Sequence, residues 1–293
     1  MLRLPDEADV LARLVAWGEA EPAIRVMVLT SSRARQDGSA DPLSDYDVIL
    51  AVRDAAKLAA DDEWSRAYGR PLVRWGDQHD LYGLTAHFRG VVYEDGVKVD
   101  YTLWPEALVA HVAGDARLPA VLDVGYRVLL DKDGGTAQWR PPTYRAHVPT
   151  PPSEAEYLAL VEEFWWGTTY VAKALWRGEI VFAKWLLDAE AKFLALRRLL
   201  EWRLEIDRDW SLRPGAYGRG LEELVPPDTW AELRRTYVGT EIEDNWVALF
   251  GTAALFRRVA TEVGDALGFS YPRHVDERVT EHLERVRQLR PKD

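Results

Sequence analysis

Asp45 and Asp47, in "LSDYDVILAV" (Leu43 to Val52), stand two residues apart at the mouth of an apolar run. Side chains alternate faces along a strand, so both carboxylates project to one side while Tyr46 and Val48 turn toward a core. Like charges on one face repel, and they stay ionised together when a cation lies between them. Mg²⁺ takes oxygen ligands and is commonly shared between one or two carboxylates and the phosphates of a substrate. A third acid lies in "VKVDYTL", where Val97, Val99 and Tyr101 take one face and Lys98, Asp100 and Thr102 the other. With this strand beside that of Asp45, three acids converge, an arrangement suited to one or two metals and in-line displacement at phosphorus. Asp100 is also a candidate acceptor for the proton of an attacking hydroxyl. Upstream, "VLTSSRAR" ends an apolar strand in Ser31 and Ser32, followed by Arg33. A sharp turn there exposes backbone N–H groups to phosphate oxygens. An isolated Asp-x-Asp is ordinarily a solvated turn. Asp100 and the serine pair move the reading to a metal and phosphate site.

The surrounding chain reads as follows. An amphipathic helix over Pro5 to Glu21 has Val10, Leu11, Leu14, Val15 and Trp17 as its apolar stripe, and Pro22 ends it. "AIRVMVLT", Ala23 to Thr30, is a strand buried on both faces. A polar loop with Gly38, Ser39, Asp41 and Pro42 leads into the strand beginning near Asp45, and "VVYEDGVKVDYTLWP" is a hairpin turning at Glu94-Asp95-Gly96. Between Lys132 and Pro152 the chain is rich in proline and reads as a connector. Beyond it the pattern is helical. Ser153 and Glu156 form a capping-box spacing at the start of one long helix, and "VFAKWLLDAEAKFLALRRLLEWRLEI" is a second. Helices near Asp228–Tyr237 and Glu243–Leu267 precede a short charged final one. The expected organisation is α+β: a mixed-sheet domain over 1–140, a linker over 141–152 and a helical domain over 153–293.

The totals exclude several classes. Of 293 residues, 37 are Lys or Arg and 48 are Asp or Glu, a formal net charge of -11, so no basic nucleic-acid surface is expected and a cationic partner suits the balance. Without cysteine there is no disulfide framework or thiolate metal site, and the six histidines lack ligand spacing. No run of about 18 apolar residues is present to span a membrane, and the N-terminus has no signal-peptide pattern. The expectation is a cytoplasmic protein, a monomer or weak dimer.

Gly-Ser at a strand end, a spacer of about this length, Asp-x-Asp and a later lone Asp resemble the DNA polymerase β-type nucleotidyltransferase superfamily. "VLTSSRA", "SDYDV", "KVDYTLWP", "EFWWGTTYVAKALWRGEIVFA" and "NWVALFGTAALFRRVATEV" are similar, in the same order, to segments of the aminoglycoside 6-adenylyltransferases (streptomycin adenylyltransferases), from about Ala8 to Pro272. The resemblance implies a polymerase β-like sheet domain followed by a helical bundle. It also implies Mg²⁺-dependent transfer of AMP from ATP to a hydroxyl of a streptomycin-type aminoglycoside, releasing pyrophosphate and inactivating the antibiotic. Asp45 and Asp47 would be Mg²⁺ ligands, Asp100 the third ligand or general base, and Ser32 a triphosphate contact. The sequence departs from the pattern at one position: the family's Gly is replaced by Ser31.

Lys173, Arg33 and Arg219, the last in the Gly-rich "RPGAYGRGLEEL", are candidates to meet the triphosphate, each set against an ordinary solvated or paired role. For a cationic acceptor the candidates are Glu94, Asp95, Glu163 and Asp188, with Trp104, Trp165 and Trp166 as walls; one of the adjacent pair Trp165 and Trp166 must be core. Two other readings share these residues: a nucleotidyltransferase with a different acceptor, and a non-catalytic nucleotide-binding member with a decayed Ser31 site.

Overall fold

Two aliphatic runs organise the first half of the molecule. β1 (Ile24–Thr30) and β2 (Tyr46–Val52) are buried almost throughout, because apolar layers cover both faces of the sheet they share. The computed structural model describes residues 4–35, 37–212 and 216–289. Two compact units divide the chain, Met1–Ala146 and His147–Asp293.

In the first unit β3 (Pro71–Leu81), β4 (Leu84–Tyr93), β5 (Lys98–Pro105) and β6 (Tyr126–Asp131) complete a six-stranded sheet in the order β3-β4-β5-β2-β1-β6. β2 and β5 run parallel, and every other neighbouring pair is antiparallel. Flanking it are α1 (Glu7–Ala20), α2 (Ser31–Ala34), α3 (Ala55–Ala60), α4 (Ala107–Gly114) and α5 (Ala120–Asp123). One face packs Tyr46, Val48, Leu50 and Val52 of β2 with Val99, Tyr101 and Leu103 of β5 and with Val10 and Leu14 of α1. The other face packs Val26, Val28, Ile49 and Ala51 against Trp104, Leu108 and Val112. Asp47 thus sits on the second face, at the end where the apolar layer gives way.

The anticipated first helix, the two buried strands and the hairpin at Gly96 are all present, with Gly96 at φ +84°. β3 is not anticipated by the residue pattern. It is a sheet edge whose side chains are mostly exposed, so no alternation marks it. Its turn into β4 is Tyr82-Gly83, with φ of +53° and +74°, the pairing of positive dihedrals that a tight two-residue hairpin requires.

The second unit is helical: α6 (Glu154–Trp176), α7 (Ile180–Lys184), α8 (Arg197–Ile206), α9 (Leu221–Leu224), α10 (Pro227–Arg235), α11 (Ile242–Leu267) and α12 (Arg273–Gln288). Trp185–Leu196 joins α7 to α8 without a break but is wound as a π-helix, which side-chain periodicity does not reveal. The capping box forms: the Glu156 amide donates to the Ser153 hydroxyl at 3.3 Å, and the Ser153 amide donates to the Glu156 carboxylate at 2.8 Å. Phe164 of α6 stacks on Phe256 of α11 with centroids 3.6 Å apart, and Tyr157 donates to the Ala260 carbonyl at 2.8 Å. α12 is longer than the short final helix expected, because Val275, Val279, Leu283 and Val286 give it an apolar stripe against this core. Among the described residues no helix is long and apolar enough to cross a membrane.

Since Leu50 is fully buried in the strand that carries Asp47, Leu50→Ala is expected to lower the stability of the first unit by about 2–5 kcal/mol. Denaturant unfolding checks this; a loss well under about 1 kcal/mol would mean that β2 does not anchor the sheet.

Candidate active site

The register of the sheet sets one row of residues side by side. Thr30 of β1 pairs with Asp47 of β2, Asp47 with Asp100 of β5, Asp100 with Gly90 of β4, and Gly90 with Trp75 of β3. Residues paired across neighbouring strands share a face, so the Asp47 and Asp100 carboxylates are neighbours. Asp45 lies two residues before Asp47 and Lys98 two before Asp100, on the same face. Lys98 closes the group: its Nζ donates to Asp45 Oδ2 at 2.6 Å and to Asp100 Oδ2 at 3.0 Å.

Gly90 has a spatial role in this row. A Cβ there would come within 3.1 Å of Asp100 Oδ1 and 3.2 Å of the Phe88 ring. That Oδ1 is buried without a hydrogen-bond partner. An unpaired buried carboxylate oxygen is a donor atom that a ligand can satisfy.

Charge is crowded in this group. Burial, then the carboxylates of Asp100 and Asp45, push the Asp47 carboxyl up to about 6, against a smaller lowering from the Ser31 hydroxyl. Burial also raises Asp100, with the Lys98 contact opposing it. Burial lowers Lys98, but its bonds to Asp45 and Asp100 outweigh that and leave it raised. Among the described residues no three His, Asp or Glu side chains stand close enough to hold a metal as they are. Two of the acids, Asp45 and Asp100, bind the Lys98 ammonium instead. Three carboxylates, one with a free buried oxygen, are nevertheless the donor set that an oxygen-seeking divalent ion such as Mg²⁺ prefers.

The segment before the acids is held rigidly. β1 runs directly into the single turn α2, and Ser31 between them has φ +61°, the left-handed region where glycine is unstrained. This is the position of the Gly-to-Ser departure: the serine Cβ makes that φ costly, while its hydroxyl favours the ionised Asp47 carboxylate. Arg33 is not presented to a ligand. Its guanidinium donates to Glu7 at 2.9 Å, to the Ser44 carbonyl at 3.0 and 2.8 Å and to the Asp41 carbonyl at 3.1 Å, and it lies 4.0 Å over the Tyr46 ring. Those bonds fix the loop entering Asp45. Neither Lys98 nor the positioning role of Arg33 is anticipated from sequence. The one available signal for Lys98 is its place on the Asp100 face of an alternating strand.

The second unit holds other candidates. Glu163, Trp166, Tyr170 and Lys173 follow one another at helical spacing along α6. Trp166 is 62% exposed, whereas Trp165 is fully buried and donates to Tyr271. The Trp166 and Tyr170 rings are 4.6 Å apart, and Lys173 Nζ lies 4.2 Å over Tyr170. Asp188 accepts from both Lys184 and Lys192 at 2.7 Å, so two ammonium groups answer its charge. Arg219 is exposed, while residues 213–215 of its loop lie outside the described residues. In the first unit Glu94 pairs with Arg70 at 3.3 Å and Asp95 with Arg13 at 3.2 Å, both around the hairpin turn. Trp104 is no wall of a cleft: it is core, beside Trp139.

The chain is similar to known proteins along nearly its whole length. The chain is 29% identical over 286 residues to an aminoglycoside 6-adenylyltransferase of Bacillus subtilis (strain 168), covering 96% of this chain and 97% of that protein. It is 27% identical over 287 residues to the aminoglycoside 6-adenylyltransferase of Campylobacter jejuni, with 96% of each covered. A crystal structure of an aminoglycoside 6-adenyltransferase from Bacillus subtilis aligns over 98% of this chain and 100% of that one, at 23% identity and a TM-score of 0.45. The sequence profile of the streptomycin adenylyltransferase family matches residues 4–286. The chain belongs to that family.

Proposed function

We propose that the protein transfers AMP from ATP to a hydroxyl of a streptomycin-type aminoglycoside, releasing pyrophosphate and inactivating the antibiotic. The observation that carries the reading is the side-by-side placement of Asp47 and Asp100 on parallel strands, with Asp45 on the same face. Family membership and the names of the relatives support it. Asp45, Asp47 and Asp100 would hold Mg²⁺, which when bound polarises the α-phosphoryl group and offsets the charge of the departing pyrophosphate.

The chain's own residues do the rest. Ser31 orients the Asp47 carboxylate through its hydroxyl. Ser32 and the amides of the β1–α2 turn contact the triphosphate, as such turns do. The acceptor oxygen attacks the α-phosphorus in line with the pyrophosphate oxygen: one O–P bond forms, the opposite one breaks, and the hydroxyl proton passes to Asp100. On α6, Glu163 and the exposed face of Trp166 offer a carboxylate and a π-surface to a polycationic ring system.

Two outcomes test this. Pyrophosphate release from ATP and Mg²⁺ is expected to depend on streptomycin and to fall by about 10³-fold in Asp47→Asn, at an unchanged unfolding midpoint or a raised one. An Asp47→Asn enzyme of undiminished rate removes Asp47 from the site, and release indifferent to streptomycin points to another acceptor. Gly90→Ala presses on Asp100 Oδ1 and is expected to lower kcat by about tenfold while the fold stays intact; an unaffected kcat would mean that the space beside Gly90 plays no part.

A further inference from the structure

Two of the three acids already hold a cation of the protein's own. Lys98 Nζ stands 2.6 Å from Asp45 Oδ2 and 3.0 Å from Asp100 Oδ2, and its charge is felt at Asp47 as well. Asp100 is the more enclosed partner, its side chain 15% exposed, and its second oxygen is left bare. A lysine is a compact point charge on a flexible four-carbon stem, able to leave such a position without backbone movement. The side chain of Lys98 is 40% exposed, so a path outward is open to it.

We propose that Lys98 is the resident cation of this site. In the metal-free protein its ammonium occupies the place that a divalent ion takes, and the ion enters by exchange with it. The inference rests on the assignment of a metal to these acids and goes beyond it. Three observations converge: the ammonium bridges two of the three acids, no three carboxylates among the described residues are preassembled as a cage, and one carboxylate oxygen has no partner. A salt bridge built only for stability gives no reason for a bare buried oxygen beside it; a position shared in turn by two cations does.

Lys98 is on this reading a positioning residue. It keeps Asp45 and Asp100 from repelling while no metal is present, and it sets the concentration at which a divalent ion displaces it. Loading is then an exchange of one cation for another, and affinity for the bare ion is held down by the cost of moving the lysine. Neutralising Lys98 should raise that affinity, whereas a purely structural lysine would leave it unchanged or lower it.

The test is Mn²⁺ binding to the full chain without nucleotide, by the electron paramagnetic resonance signal of the free ion, at one ionic strength. Lys98→Gln keeps N–H donors for both carboxylates but carries no charge, and it is expected to bind Mn²⁺ about tenfold tighter than the native chain. Lys98→Arg keeps the charge and grips carboxylates in a bidentate fork, so it is expected to bind no tighter than the native chain. The rise in Tm caused by Mn²⁺ should be larger for Lys98→Gln than for the native protein. If folded Lys98→Gln binds Mn²⁺ no better than the native chain, the inference is overturned while the metal site stands. Should Lys98→Gln fail to fold, tighter binding by Lys98→Arg overturns the inference and weaker or equal binding supports it. Binding that is absent from the native chain, or that survives unchanged in Asp47→Asn, overturns the metal assignment and this inference with it.

Discussion

Two carboxylates cannot sit on adjacent strands, about 4.8 Å apart, without something to answer their charge. Asp47 and Asp100 are placed that way by the parallel register of β2 and β5, and much of the first unit follows from holding them there. The register is fixed by aliphatic side chains buried on both faces, since a slip of one residue would carry Val48, Leu50, Val99 and Tyr101 out of their layer. Arg33 pins the loop that delivers Asp45, Ser31 accepts a strained backbone and its hydroxyl favours the ionised Asp47, and Gly90 leaves the space into which Asp100 turns. Lys98 supplies the positive charge.

Much of this was legible in the residues. Two runs of β-branched and aliphatic residues marked β1 and β2, the alternation in "VKVDYTL" placed Asp100 on the face opposite Val99 and Tyr101, and Ser153 with Glu156 announced α6. What escaped had no local signature. β3 is an exposed edge with little alternation, the π-wound Trp185–Leu196 keeps an ordinary helical composition, and Arg33 acts through carbonyls whose positions only the fold supplies. Lys98 was visible as a polar residue beside Asp100, but that it bridges to Asp45 depends on the pairing of two strands more than forty residues apart in sequence. Glu94 and Asp188 looked like free acids and are paired with cations.

The Ser31 position shows how sequence departure and geometry bear on each other. A glycine there would relieve a left-handed φ, at a gain of about 1 kcal/mol or less once its greater freedom in the unfolded chain is counted. The serine instead contributes a hydroxyl to the Asp47 carboxylate, in a place where burial and two neighbouring acids make negative charge hard to sustain. Read from the sequence, the change suggests a decayed phosphate loop. In the folded chain it is a modest strain set beside a hydroxyl that favours the ionised Asp47.

The most direct measurement is the mass of streptomycin after incubation with the enzyme, ATP and Mg²⁺. One added adenylyl group is expected with the native chain and none with Asp100→Asn. Unmodified antibiotic from the native enzyme, or the same adenylylated product from Asp100→Asn, would contradict a catalytic role for the paired acids of β2 and β5.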